Sequence, residues 1–192
     1  MLSGSLILEE KTMTYFIADL HLGHSNIITL CERPFSSVEE MNETIIGNWN
    51  SRITDVDDVY ILGDFAYKSS EDVTVFLKKM KGHKHLVIGN HDNSWMNVGG
   101  SLSYFDSVKQ MDFLSFNGRQ IWLCHYPMME WNDSLHGSYL IFGHIHNNVG
   151  QPYWNLIKTN DRMLNAGVEV NNFYPVTFEE LVRNNEVFKA MN

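Results

Sequence analysis

Cysteine is scarce: Cys31 and Cys124 are the only two in 192 residues. Two thiols supply no disulfide framework, and free thiols in a reducing cytoplasm are the simpler expectation. Apolar runs are short, and none reaches the roughly 18 residues that a membrane span requires. Positive charge is also in deficit, with 14 Lys and Arg against 23 Asp and Glu and a formal net charge of −9. That balance, with no Lys/Arg run, argues against holding long nucleic acid by counterion release. It leaves open the capture of a phosphate through metal ions, because bound cations dominate their local field. No internal repeat, low-complexity tract or Pro/Gly linker divides the chain. The opening "MLSGSLILEEKTM" lacks a basic leader. Residues 1–12 read as a leader, and 13–192 as a single domain.

What is present is globular: 44% apolar and 19% charged residues, in a length that buries a core. Short apolar runs bounded by polar residues read as buried strands at "TYFIA" (14–18), "DVYIL" (58–62), "HLVIG" (85–89) and "YLIFG" (139–143). Asn117-Gly118 between two β-rich runs predicts a hairpin. Ser36 and Ser37 precede Glu39 and Glu40 by three residues, a capping-box pattern. Val38, Met41, Ile45 and Trp49 then recur at helical spacing. A second helix carries Val73, Phe76, Leu77 and Met80 on one face, with Gly82 as its stop. Thr177 with Glu180 opens a third. Strands alternating with helices, plus a hairpin, give a mixed α/β architecture.

The polar residues that carry chemistry follow the strands. Asp19-Leu20-His21 follows the first, Gly63-Asp64 the second and Gly89-Asn90-His91-Asp92 the third; His125 follows "IWLC", and Gly143-His144-Ile145-His146 follows "YLIF". In open α/β sheets, ligands gather at such carboxyl ends. In an extended chain residues i and i+2 share a face, so Asp19 is expected to point with His21, and His144 with His146. The glycines before Asp64, Asn90 and His144 allow a sharp exit and a close approach. Asp19, His21, Asp64, Asn90, His125, His144 and His146 exceed what one tetrahedral zinc accepts. They suit two adjacent ions sharing a carboxylate. Imidazole with carboxylate favours Mn, Fe, Zn or Ni, and the absence of Cys argues against a structural zinc.

The ordered set D-x-H, G-D, G-N-H-D, H, G-H-x-H resembles the calcineurin-like metallophosphoesterase superfamily. With "CERPF", "HYP" and "NAGVEV", the chain is similar to the small bacterial and phage phosphoesterases of that superfamily. The resemblance implies a four-layer α/β/β/α sandwich of two mixed β-sheets flanked by helices. It also implies a dinuclear metal site: Asp19, His21, Asp64 and His146 hold one divalent ion, and Asp64, Asn90, His125 and His144 the other. On that resemblance Asp64 would be shared by the two ions, a hydroxide held by them would attack phosphorus, and His91 would assist the leaving oxygen as general acid. The chain departs from the Ser/Thr protein phosphatase branch. Tyr67 stands where that branch has an Asp pairing with the catalytic His, and Asn93-Ser94 follow where it has an Arg. Both departures argue against protein phosphatase activity.

The expected substrate is therefore a small phosphodiester, with cyclic or small nucleotides leading. A phosphomonoesterase, a metal-dependent nuclease and a non-catalytic scaffold are the alternatives, the last disfavoured because every ligand position is filled. His24 is a candidate substrate contact or a cap for a helix begun at Ser25. Arg33 is a candidate bidentate phosphate ligand or an ion-pair partner of Glu32 or another acid. Asp92 reads as a turn and hydrogen-bond residue rather than a ligand, and Cys124 as core. A cytoplasmic location without membrane contact is expected, and nothing in the sequence sets the oligomeric state.

Overall fold

The computed structural model describes residues 12–192, so the expected leader, Thr12 apart, lies outside the described residues. Strands β1 (Thr14–Ile17), β2 (Asp58–Ile61), β3 (His83–Val87) and β4 (Ser107–Lys109) form one sheet in that order, every ladder parallel. Strands β5 (Met111–Phe116), β6 (Arg119–Cys124), β7 (Tyr139–Phe142) and β8 (Met163–Asn165) form the second. There β5 and β6 are antiparallel and the other pairs parallel. Asn117 and Gly118, at φ 49° and 74°, make the expected hairpin turn. The sheets meet beside β1, where Phe16 bridges antiparallel to Val176 and Ala18 bridges parallel to Gly167.

Period-2 alternation explains the layers, because both faces of the inner strands are buried. In β1, Tyr15 and Ile17 face a core shared with the helices, whereas Phe16, and Ala18 just past the strand, face the other sheet. In β7, Ile141 joins the inter-sheet core while Leu140 and Phe142 turn outward to a third cluster with Trp131, Trp154 and Met163. The result is two four-stranded sheets packed face to face and flanked by helices, the α/β sandwich that the resemblance implied, except that only the second sheet is mixed and the first is all parallel.

Over the first sheet lie α1 (Ser25–Leu30), α2 (Val38–Arg52) and α3 (Val73–Leu77). Helix α2 buries Met41, Ile45, Ile46 and Trp49. Its N-cap is Ser37, which accepts from Glu40 N, while the Glu40 carboxylate reaches back to Ser36 and not to Ser37. Helix α3 is shorter than the pattern predicts: it ends at Leu77, and the chain turns several residues before Gly82. Helix α4 (Trp154–Thr159) covers the second sheet. Helix α5 (Phe178–Met191) opens with the full Thr177–Glu180 capping box and packs on β1 and β8. Among the described residues no helix is long and apolar enough to cross a membrane.

Candidate metal centre

The loops leaving β1, β2, β3, β6 and β7 converge, and they carry all seven ligand candidates. Asp19 is fully buried, and both its oxygens accept from His144 N, at 3.0 and 2.9 Å. Asp64 Oδ1 accepts from His91 N at 2.9 Å. Its Oδ2 lies 3.5 Å from His21 Nε2, 3.6 Å from His125 Nε2 and 4.0 Å from His91 Nε2. Ligand atoms of Asp19, His21 and His146 gather within 4.8 Å of one another, and so do those of Asp19, Asp64 and His125. On the other side, Asn90 Oδ1 is 3.0 Å from both His125 Nε2 and His144 Nδ1. Two donor groups thus flank one carboxylate oxygen.

The backbone reaches this arrangement by a route that alternation did not foresee. Asp19, His21, Asp64, His144 and His146 all adopt left-handed backbone, with φ between 51° and 70°. Asp19 and His21 therefore converge from a tight left-handed turn just beyond β1, and not from an extended strand; the same holds for His144 and His146. Leu20 and Ile145 still serve as core-facing spacers. Non-glycine residues in this region cost of order 1–3 kcal/mol each and cluster at functional sites. Gly63 turns the chain at φ 86°, where a Cβ would strike His125 Nδ1 and lie 2.7 Å from Gly89 Cα. At Gly143 a Cβ would lie 2.6 Å from Asp19 Oδ2. Both glycines are required by close approach, as their positions suggested.

A layer of buried partners holds the turns. Asp92, also fully buried, accepts from Gly89 N (2.7 Å), Asp64 N (2.9 Å), Phe65 N (2.9 Å) and Trp95 Nε1 (3.1 Å). One carboxylate therefore ties the loop after β2 to the loop after β3. His125 Nδ1 lies 2.7 Å from Leu62 O, which fixes the proton on that nitrogen and leaves Nε2 free for the centre. His146 Nδ1 is paired with Glu169 Oε1 at 3.0 Å. Glu169 was not singled out from the sequence, although it lies within "NAGVEV"; it meets His146 and Arg33 only through the tertiary fold.

Arg33 points into the fold and not into an open cleft. Its Nε and Nη2 donate to Glu169 Oε1 at 2.9 and 2.7 Å, Nη2 also to Asp19 O at 2.7 Å, and Nη1 to Leu20 O at 2.9 Å. Its side chain is fully buried, so the fork clamps the left-handed turn and has nothing left for a phosphate. The ion-pair alternative holds, with Glu169 as the acid. His24 occupies the N-cap of α1, but its side chain makes no capping bond. Its ring stands edge-on to Tyr67 at 4.9 Å and lies 5.4 Å from His21. His91 is partly exposed, 5.4 Å from His21, with the Tyr67 ring 4.0 Å away. Tyr67 thus packs against His91 at the position where the protein phosphatase branch has an Asp.

The electrostatics suit cations. Asp19, Asp64, Asp92 and Glu169 bring four buried carboxyls together against one buried guanidinium. Burial pushes Asp19 up to about 8, against the pull of His146, and also raises Asp64 and Asp92. Burial lowers His21, His125 and His144, which favours the neutral form that a ligand needs. His146 is displaced the other way, to about 11: burial opposes the shift, but hydrogen bonds with Cys31 and Glu169 and the charge of Asp19 outweigh it. Both ring nitrogens of His21 are buried without a hydrogen-bond partner. That is costly for a bare imidazole; an ion coordinated at Nε2, the nitrogen beside Asp64 Oδ2, would relieve the cost on that side, so the donor set fits divalent metal.

Comparison with known proteins identifies the family. The family model for the calcineurin-like phosphoesterase superfamily domain matches residues 14–168. The chain is 32% identical over 183 residues to the uncharacterized protein MJ1445 of Methanocaldococcus jannaschii, covering 93% of this chain and 96% of the relative. It is 27% identical over 160 residues to the gene 66 protein of Mycobacterium phage L5, covering 69% and 77% of the two chains. Among solved structures, the Aquifex aeolicus protein AQ665, of unknown function, superposes with a TM-score of 0.70 at 28% identity. That match covers 90% of this chain and 99% of the other.

Proposed function

This chain belongs to the calcineurin-like phosphoesterase superfamily, and from that premise we propose that it hydrolyses small phosphodiesters at a centre of two divalent metal ions. The observation that carries the proposal is the position of Asp64 Oδ2, between His21 Nε2 at 3.5 Å and His125 Nε2 at 3.6 Å. One carboxylate oxygen set between two donor groups is what a shared bridging ligand requires. Asp19, His21, Asp64 and His146 would hold one ion; Asp64, Asn90, His125 and His144 would hold the other. When bound, such a pair supplies Lewis acidity at phosphorus and lowers the pKa of water from 15.7 toward about 7.

The residues of the chain supply the rest. Glu169 and Leu62 O engage Nδ1 of His146 and of His125, which would leave the other nitrogen of each ring for an ion. Asp92 fixes the backbone of Asp64 and Gly89, and Arg33 that of Asp19 and Leu20. His91 Nε2 would deliver a proton to the departing ester oxygen. Its support is the place of the ring, beside Asp64 Oδ2 yet partly open to solvent. His24 would contact the phosphate, and its position beside His21 supports that role. No Ser or Cys nucleophile is needed.

The test is chelation of purified protein followed by addition of Mn, Fe, Zn or Ni. Hydrolysis of bis(p-nitrophenyl) phosphate and of p-nitrophenyl phosphate is then compared. Metal-restored cleavage, faster on the diester, is expected. His91→Ala should keep its metal and turn over about 10²–10⁴-fold more slowly. Ordinary turnover by that variant would remove His91 from the mechanism, and no metal-restored cleavage of either ester would refute the proposal.

A further inference from the structure

The loop that follows β6 faces α4 across an open cavity of about 500 Å³, within the range of small-molecule sites. Tyr126, Met128 and Met129 form one wall, Tyr153 and Leu156 the other, and buried Met163 lies between them. The cavity reaches the candidate metal centre itself: His144 lines it, and the Tyr126 ring lies 4.7 Å from His144 and 5.0 Å from His125. No Lys, Arg, Asp or Glu is among its lining residues. The neighbouring cavity, past His144 and His146, is different in kind: Glu32, Asn147, Asn148 and Gln151 line it.

Resting on the phosphodiesterase reading, we propose that the cavity between the post-β6 loop and α4 binds a planar aromatic or heteroaromatic ester group of the substrate, an aryl ring or a nucleobase. A wall without charge offers nothing to a second phosphate or to a sugar acid. Two tyrosine rings and three thioethers suit a flat π-face, since sulfur makes favourable contact with aromatic rings and methionine adapts its shape. The rim is costly unless used: Met129 is 88% exposed, Leu156 52% and Tyr126 45%, an apolar patch beside a reactive centre. Continuity with His144 places a group held here within one phosphoester of the metal ligands.

The test uses non-hydrolysable phosphonates as competitive inhibitors of the metal-loaded protein. Phenylphosphonate should inhibit about tenfold or more tightly than methylphosphonate, as expected for burying a ring, and more tightly than hexylphosphonate. In Leu156→Gln combined with Met129→Gln, both rim positions, the phenyl-to-methyl ratio should fall at least about threefold. Equal inhibition by phenyl and methyl compounds, a hexyl preference, or a ratio that survives the double variant would overturn the inference while leaving the phosphodiesterase reading intact. If no ester is cleaved at all, that reading fails separately. The cavity is then judged by fluorescence titration of 2-naphthol on metal-free protein: saturable binding lost in the double variant supports the aromatic site, and no binding to the wild type refutes it.

Discussion

Replacing Asp92 by Asn changes no candidate ligand and almost no volume, yet it should loosen both loops of the centre. The buried carboxylate accepts four hydrogen bonds: Oδ2 takes Gly89 N and Asp64 N, and Oδ1 takes Phe65 N and Trp95 Nε1. An amide retains one accepting oxygen, and its NH2 must then face two N–H donors. Two hydrogen bonds to a charged acceptor are lost, worth about 1.5–3 kcal/mol each. Part of this is returned, because burial raises the carboxyl's pKa and a neutral amide escapes that cost. The net expectation is a destabilisation of about 2–4 kcal/mol, a large share of the ~5–15 kcal/mol of a typical domain. Urea unfolding of chelated protein at pH 7 measures it without the contribution of bound metal. Metal affinity should fall about 10–100-fold, the usual effect of losing a residue that orients ligands. A variant within about 1 kcal/mol of wild type, with metal affinity unchanged, would refute the reasoning and show that Asp92 is already neutral in the fold.

Other perturbations separate the parts of the account. Gly63→Ala forces a Cβ onto His125 at φ 86° and should cost about 2–4 kcal/mol in thermal or urea unfolding; an unperturbed Tm would refute the close approach. Arg33→Lys removes the fork that holds Glu169, Asp19 O and Leu20 O. It should lower stability by about 2–4 kcal/mol and weaken metal binding about 10–100-fold, with KM for a phosphodiester unchanged at saturating metal, whereas normal stability with a raised KM would return Arg33 to the substrate. Lys189, whose ammonium bonds Asn160 O and Met163 O, is held down to about 8 by burial. The unfolded chain therefore binds more protons between pH 8 and 10.5, and this group's contribution to stability rises with pH across that window. Wild type should gain on Lys189→Met by on the order of 2 kcal/mol between pH 7.5 and 10; a constant difference would contradict the assignment.

Much of the site was readable because strand ends obey simple rules. Apolar runs of four or five residues located β1, β2, β3 and β7, Asn117-Gly118 located the hairpin, and each metal-type residue followed such a run. Long-range chemistry was not readable. Arg33 and Glu169 are 136 residues apart, and no local pattern links an Arg in "CERPF" to an acid in "NAGVEV". The left-handed backbone at Asp19, His21, His144 and His146 was hidden for a different reason. These residue types do not demand φ > 0, and the turns are imposed by contacts such as those between the Asp19 carboxylate and His144 N. The three-residue strands β4 and β8 offer too short a run for periodicity to register. The apolar cavity beside His144 exists only after α4 and the post-β6 loop have packed.

The central claim is that Asp64 is shared between two ions. Elemental analysis of metal-loaded wild type and Asp64→Ala, purified side by side after exhaustive dialysis, tests it most directly. The account predicts about two divalent ions per wild-type chain and a loss of both in the variant. A wild type with fewer than one tightly held ion, or an Asp64→Ala protein that keeps its full complement, would contradict it.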